Sequence, residues 1–255
     1  MKFSKAPGLA FLVLFAASCS KDEPLPPQLP DPCLATSDVD LKMSVNMVFG
    51  DQTFATGTSF QLNDSIYVSF NEARFYISNV TLLHDSVWTR ATNDVVIVDE
   101  DHLSFNLGKY PQQNIQGIRF SLGIDSVRNH EDPTQYPAGH PLAFSVPSMH
   151  WSWNQGYIFA LLEGRFSSQP ITQDNPGEIW YFHIGLDENY QQSGNLPASI
   201  QVKACADNTI RLKADMMNIF SGVDFNGAHT TLSTDNAQLA NRVSDHLMQA
   251  ITNEN

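Results

Sequence analysis

Basic side chains are scarce in this chain: 14 Lys and Arg stand against 27 Asp and Glu in 255 residues, a formal net charge of −13. Neutralising a phosphate backbone takes clustered guanidinium and ammonium groups, and the densest basic stretch, Arg119 to Arg128, holds two arginines among apolar residues. Nucleic acid is therefore excluded as a partner, and a cation or a basic protein surface suits the charge better. Cysteine is nearly absent: Cys19, Cys33 and Cys205 show no Cys-x-x-Cys spacing, which removes a thioredoxin-like site and a thiolate zinc site. The eight histidines, at 84, 102, 130, 140, 150, 183, 229 and 246, contain no His-x-x-x-His pair, so no local zinc signature exists. No Gly-x-Ser-x-Gly elbow appears, no glycine-rich phosphate loop opens a helix, and no carboxylate pair for glycoside hydrolysis stands out. No catalytic residue is assigned, and the chain reads as a non-enzyme. Charged residues make up 16% and hydrophobic ones 42%, which describes a folded chain, since disorder needs the opposite balance.

Long hydrophobic runs are also missing. The one candidate, Leu9 to Ala17 behind Lys2 and Lys5, is too short for the roughly 20 residues that span a bilayer, and residues 1–18 read as a signal peptide. Ala16-Ala17-Ser18 ahead of Cys19 resembles a bacterial lipobox, which makes Cys19 the lipidated residue; the other reading is an ordinary secretory signal, because Ala16 stands where leucine is usual. Removing Lys2 and Lys5 with the signal brings the mature charge near −15, 12 basic against 27 acidic. Ser20-Lys21-Asp22-Glu23 is similar to the tether of cell-surface lipoproteins, and five prolines between Pro24 and Pro32 make an extended spacer. Residues 19–35 are thus anchor and tether, and residues 36–255 the folded domain. The expected location is the outer membrane, lipid-anchored and cell-surface exposed, otherwise on its periplasmic face, with the membrane met through the anchor alone. An exported compartment is oxidising, so Cys33 and Cys205 are the pair available for one disulfide.

From residue 39 to 212 the chain reads as short strands. Val39 to Phe49 alternates apolar and polar residues, as do Ile66–Phe70 and Ala73–Val80; Val95–Val98, Gly117–Leu122, Gly156–Leu162, Ile179–Ile184, Ser199–Lys203 and Thr209–Lys213 follow. Many short strands without long intervening helices predict an all-β antiparallel sandwich. One short helical piece falls at Met216–Phe220. A C-terminal surface helix is expected over 235–252, with Asp235 and Gln238 as a capping box and Leu239, Val243, Leu247 and Ile251 at i+4 spacing.

The densest aromatic cluster is Met149-His150-Trp151-Ser152-Trp153, running on through Gly156-Tyr157-Ile158-Phe159 to Glu163-Gly164. On composition alone this is a core strand with bulky rings, yet a histidine, a thioether and indoles also offer borderline and soft ligands to copper. The string Met149-x-Trp151-x-Trp153-x-x-Gly156-Tyr157-x-Phe159-x-x-x-Glu163-Gly164 resembles the MbnP-like family of copper-binding periplasmic or outer-membrane lipoproteins. Phe75 to Leu83, Ile118 to Asp125 with Asn129-His130, Phe182-His183-Ile184-Gly185 and a late His229 continue the pattern in order, so the resemblance runs through most of residues 39 to 245. It implies a methanobactin-associated role, a di-haem peroxidase-like partner, and a tryptophan oxidised to kynurenine whose amine binds copper together with histidines. The implied metal residues are His130, His183 and His150, the implied metal-proximal or modified aromatics Trp151 and Trp153. Glu131-Asp132 either orients His130 or belongs to the surface, and Asp99-Glu100-Asp101 is expected to be a solvated turn. An outer-membrane uptake system is a further expected partner. The competing class is a metal-free surface lipoprotein acting as an interaction, small-molecule or glycan-binding module.

Overall fold

In the computed structural model, which describes residues 1, 33, 37–144, 148–152 and 155–254, the alternation read at residue 39 becomes β1 (Val39–Phe49). Leu41, Met43, Val45, Met47 and Phe49 all point inward, as a period of two demands of a strand with one dry face. The other principal strands are β2 (Ile66–His84), β3 (Ser104–Tyr110), β4 (Asn114–Leu122), β5 (Gly156–Ser167), β6 (Glu178–Gly185), β7 (Leu196–Gln201), β8 (Thr209–Asp215) and β9 (Ile251–Asn253). A first sheet orders β9, β8, β1 and the two-residue strand Gln52–Thr53, with β3 also on β1. A second, larger sheet runs from Gln191–Gln192 through β4, β2, β5 and β6 to Thr230–Thr231, with short strands paired onto β2, β4 and β5. The two share one core: Met43 and Val45 of β1 and Leu212 of β8 cluster with Phe70, Phe75, Phe120, Leu162, Trp180 and Phe182 of the larger sheet. The fold is all-β and sandwich-like, as the strand pattern predicts.

Three details depart from the sequence reading. β1 and β8 run parallel, in register from Lys42 opposite Thr209 to Val48 opposite Asp215, and Tyr181 and Phe182 pair in parallel with Thr230 and Thr231. The antiparallel expectation is therefore corrected for these pairs: the chain builds the larger sheet, all but Thr230–Thr231, between β1 and β8, a crossover long enough to bring β8 back in the same direction. The strands read as Ile66–Phe70 and Ala73–Val80 are one strand, β2, because Glu72 opposite Glu163 and Phe70 opposite Gly164 continue one ladder, with Asn71 between them as a one-residue bulge. The third concerns α2 (Ala237–Ala250), which is capped by Asn236, its side chain accepting the Leu239 N–H at 3.2 Å. Asp235 instead accepts from the Leu232 N–H at 2.8 Å and from the Thr231 hydroxyl, so the helix starts one residue later than a cap at Asp235 would place it. It ends at Ala250, and Ile251 turns into β9 against Ala214. Its buried face, with Leu239, Ala240, Val243, Ser244 and Leu247, is broader than the i+4 stripe alone. Met216–Phe220 contains a single 3₁₀ turn, Asn218–Phe220.

Cys33 and Cys205 form a disulfide with Cα atoms 5.2 Å apart, joining positions 172 residues apart and fixing the start of the domain to the loop before β8. Cross-links closing long loops contribute about 2–5 kcal/mol. Cys19 and the tether lie outside the described residues. Among the described residues no helix is long and apolar enough to cross a membrane.

Candidate functional site

The larger sheet buries part of its second face as well, through a smaller cluster of Tyr76, Val95, Ile124, Leu142, Met149, Tyr157, Ile158, Phe159 and Leu161. Tyr76 lies between Phe75 and Ile77, and Leu161 between Ala160 and Leu162, all four in the main core, so the strands divide their residues between two dry faces. What covers this cluster is largely irregular chain among the described residues 123–144 and 148–149, including the one-turn helix α1 (Ser126–Asn129). Hydrogen bonds from side chains hold it there, because an irregular segment has no ladder of its own. Asn129, fully buried, accepts the Tyr157 N–H at 2.8 Å and donates to Asp187 at 2.8 Å. Tyr76 and Tyr157 donate their hydroxyls to the carbonyls of Pro141 and Leu142, at 2.9 and 2.6 Å. Burial pushes both phenols up. Gly156 has φ +70°, and a Cβ there would meet the Asn129 carboxamide at 2.3 Å, so the site requires glycine.

The chemistry collects at the end of β6. Phe182 and Ile184 enter the main core, which turns His183 and Gly185 to the covered face. Trp151, in the short strand His150–Ser152 beside β5, lies over Gly185, where an added Cβ would strike the indole at 2.5 Å. Two residues before Gly185, the His183 Nε2 meets Glu163 Oε1 at 2.7 Å, in a shallow cavity of about 230 Å³ that Arg165, Tyr181 and Leu232 also line. Two residues after it, Asp187 reaches the His130 Nε2 at 3.3 Å. A rise of about 3.3 Å per residue sets His183 about 7 Å along the strand from the indole over Gly185. Burial alone would raise the Asp187 carboxyl, but hydrogen bonds from Ser126, Asn129 and His130 outweigh it and hold the group below the usual carboxylate range. His183 is the more sheltered imidazole, its side chain 19% exposed against 44% for His130.

The structure thus brings Trp151, His183 and His130 to one stretch of chain, residues 183–187. His150 neighbours Trp151, but its ring packs edge-on against Tyr157 and Phe144, centroids 4.8 and 6.0 Å away. Burial depresses its pKa, with the Asp132 charge pulling weakly the other way. Trp153 lies outside the described residues. Glu131 and Asp132 do not orient His130: Glu131 accepts the Tyr136 hydroxyl, and Asp132 caps the turn at Pro133–Gln135 through the Thr134 N–H at 2.8 Å. The orienting carboxylate is Asp187, 57 positions away in sequence, and nothing local to His130 announces it. Glu163 was legible in principle, since outward positions 161 and 163 of β5 face 183 and 181 of β6 once the strands are paired. Asp99 is buried rather than solvated, accepting the His102 N–H at 2.8 Å and facing Arg74 at 3.5 Å. His229 packs on the opposite face from His183, against Phe166 and Phe225. Among the described residues, no three or more His, Cys, Asp or Glu side chains stand together as a metal cluster.

The molecule is a disulfide-tied β-sandwich whose larger sheet carries two histidines and an indole along the margin of a partly covered outer face. The MbnP family model matches residues 36–238, and the chain belongs to the MbnP family. Its fold is similar to that of MbnP from Methylosinus trichosporium, with a TM-score of 0.53 at 17% identity over 77% of this chain and 83% of that one. No curated protein sequence gives a significant match.

Proposed function

We propose that this chain is a copper-binding protein of metal acquisition or handling, a non-enzyme that holds the ion between His183, His130 and the modified indole of Trp151. The observation that carries the reading is the arrangement along residues 183–187: an indole seated over Gly185, with a carboxylate-paired histidine on either side. Each imidazole meets its carboxylate through Nε2, which leaves Nδ1 as the ligating nitrogen and uses the carboxylate to fix the tautomer and raise ligand basicity. Two imidazoles alone do not complete a zinc site of four donors, whereas copper accepts a borderline set, to which a tryptophan-derived aromatic amine adds a third nitrogen. Copper bound there would supply affinity and redox chemistry; the chain's own residues orient the donors and, with the cover, limit water.

Lipidation at Cys19 would keep the protein on the outer membrane, and a di-haem peroxidase-like partner would supply the oxidising equivalents for Trp151. Opening the indole to kynurenine gains one oxygen and loses one carbon, a product about 4 Da heavier by intact mass. His183→Ala and His130→Ala should each lower copper affinity roughly tenfold or more while circular dichroism stays unchanged, a loss of about 1.4 kcal/mol per factor of ten. Cys19→Ala should release the protein from membranes. A folded wild-type protein that stays unmodified and copper-free beside the di-haem partner would overturn the copper reading in favour of a metal-free interaction module, which the lack of a three-residue donor cluster among described side chains supports.

A further inference from the structure

A polar groove of about 590 Å³ lies elsewhere, at the edge where β2, β4 and Val87–Arg90 meet. Its floor is a rung of three residues: Thr81 pairs with Arg90 on one side and with Arg119 on the other. The two arginine stems therefore flank Thr81 at about 10 Å, twice the spacing of neighbouring strands. Neither guanidinium swings freely. The Arg119 Cζ sits over the Trp88 ring, 3.8 Å from its centroid, and its Nε donates to the Asn195 side chain, which leaves its two terminal nitrogens for a ligand. Arg90 is pinned by the Asn79 carbonyl oxygen and by Asp94 at 3.4 Å.

Asn79 is the hub. It takes φ +51° inside a strand, at the register shift between Ser78 and Thr81, a left-handed conformation that asparagine tolerates better than most side chains. That kink lets its amide donate to the Tyr190 hydroxyl at 2.6 Å while its oxygen accepts from Arg90 and, at 2.9 Å, from the half-buried Arg128. Three of the chain's seven arginines thus converge on one place in a strongly acidic protein. In the groove lining itself two cations, Arg90 and Arg119, stand with one carboxylate, Asp125, which is already paired with Arg128, while Asp94 pairs with Arg90 and Arg128.

We propose that this groove binds a small polyhydroxylated carboxylate of the uronic acid kind. A planar guanidinium fork matches a carboxylate in two-point fashion. The span between the arginines is wider than one oxyanion and suits a sugar ring. Apart from Phe120 the lining is polar: the side chains of Asn195, Gln192, Thr81 and Tyr190 supply donors and acceptors for hydroxyls rather than an apolar wall. The site is independent of the copper reading, since none of His183, His130 and Trp151 lines it.

The test is calorimetric titration of the purified protein with sodium glucuronate, in parallel with glucose and with inorganic phosphate, at low ionic strength. Glucuronate should bind, with a change in Trp88 emission; glucose should not, and phosphate should bind at least roughly tenfold more weakly. Arg119→Gln should cost roughly tenfold or more, Arg119→Lys should remain weakened because lysine keeps the charge but not the fork, and Arg242→Gln should match wild type. If Arg119→Gln fails to fold, Arg90→Gln is read in its place. Absence of glucuronate binding, equal binding of phosphate or glucose, or undiminished binding by the folded Arg119 and Arg90 variants would each overturn the proposal. Copper loading should be the same with and without glucuronate, so failure of either site leaves the other standing.

Discussion

The two faces of the larger sheet are closed in different ways, the inner one throughout and the outer one only over the cluster around Tyr76 and Tyr157. The inner face is closed by another sheet and a helix, so its hydrogen bonds are ladders and its contacts are apolar, with Trp180, Phe70 and Phe220 packed at ring distances of 4.9–5.6 Å. The outer face is closed by irregular chain, which needs Asn129, Asp187, Tyr76 and Tyr157 to hold it. Regular closure gives stability to the whole domain. Side-chain closure places polar, titratable groups at the boundary of a dry cluster, where they position ligands and where the cover opens at lower cost than the domain unfolds.

The largest effect should come from breaking the inner face. Trp180 is fully buried, and its Nε1 donates to the Arg165 carbonyl at 3.0 Å, so Trp180→Ala removes a large aromatic and orphans a carbonyl. Substitutions of this kind cost about 3–5 kcal/mol, and a domain of this size loses about 2–4 °C in Tm per kcal/mol. Thermal unfolding should show a single, strongly lowered transition in which inner and outer faces are lost together. Survival of the covered site in an otherwise unfolded Trp180→Ala protein would show that the outer face folds by itself.

Asn129→Ala should act on the outer face alone. It removes two hydrogen bonds from buried groups and leaves the Tyr157 N–H without its acceptor, a cost of about 1–3 kcal/mol. Limited proteolysis should cut between residues 130 and 152 while the resistant fragments keep the β-sheet signal, and His130, which follows Asn129 directly, should lose its hold on Asp187. A variant as protease-resistant as wild type would remove the distinction between the two closures.

This difference also explains which features are legible in the sequence. β1 and β6 are legible because a strand with one dry face must alternate, and β5 because a strand buried on both sides reads as a continuous apolar run, Gly156 to Leu162. The aromatic string from Met149 to Phe159 has the composition of a core strand, and part of it is one: Tyr157, Ile158 and Phe159 are buried in β5. Trp151 is not in that strand but doubles back over Gly185, and no period encodes a reversal of two or three residues. The His130 to Asp187 pairing is equally silent, because it joins a one-turn helix to a turn after β6 and depends on folded geometry alone. Family resemblance singles out both histidines; the carboxylates that orient them become visible only with strand pairing.

The smallest expected effect separates the two faces by pH. Burial lowers the pKa of His140 and of His150, aided at His140 by the Arg128 charge, and both belong to the covering chain or its edge. In the unfolded chain histidine takes up its proton near pH 6.5, so below that value the open chain binds protons that the closed cover refuses. The stability these residues contribute is complete above about pH 6.5 and is lost as pH falls through their lowered folded values. Asp125 and Asp187 add a second step: although burial opposes it, their hydrogen bonds hold both below the usual carboxylate range, so their contribution persists above that range and disappears only at lower pH. The inner cluster is apolar apart from Tyr110 and has no such dependence. Proteolytic opening of residues 130–152 should therefore increase between pH 7 and 5 while the sheet signal holds, and His140→Gln with His150→Gln should flatten that increase. Equal acid sensitivity of the sheet and the cover, in wild type and double variant alike, would mean that the two faces are energetically one unit.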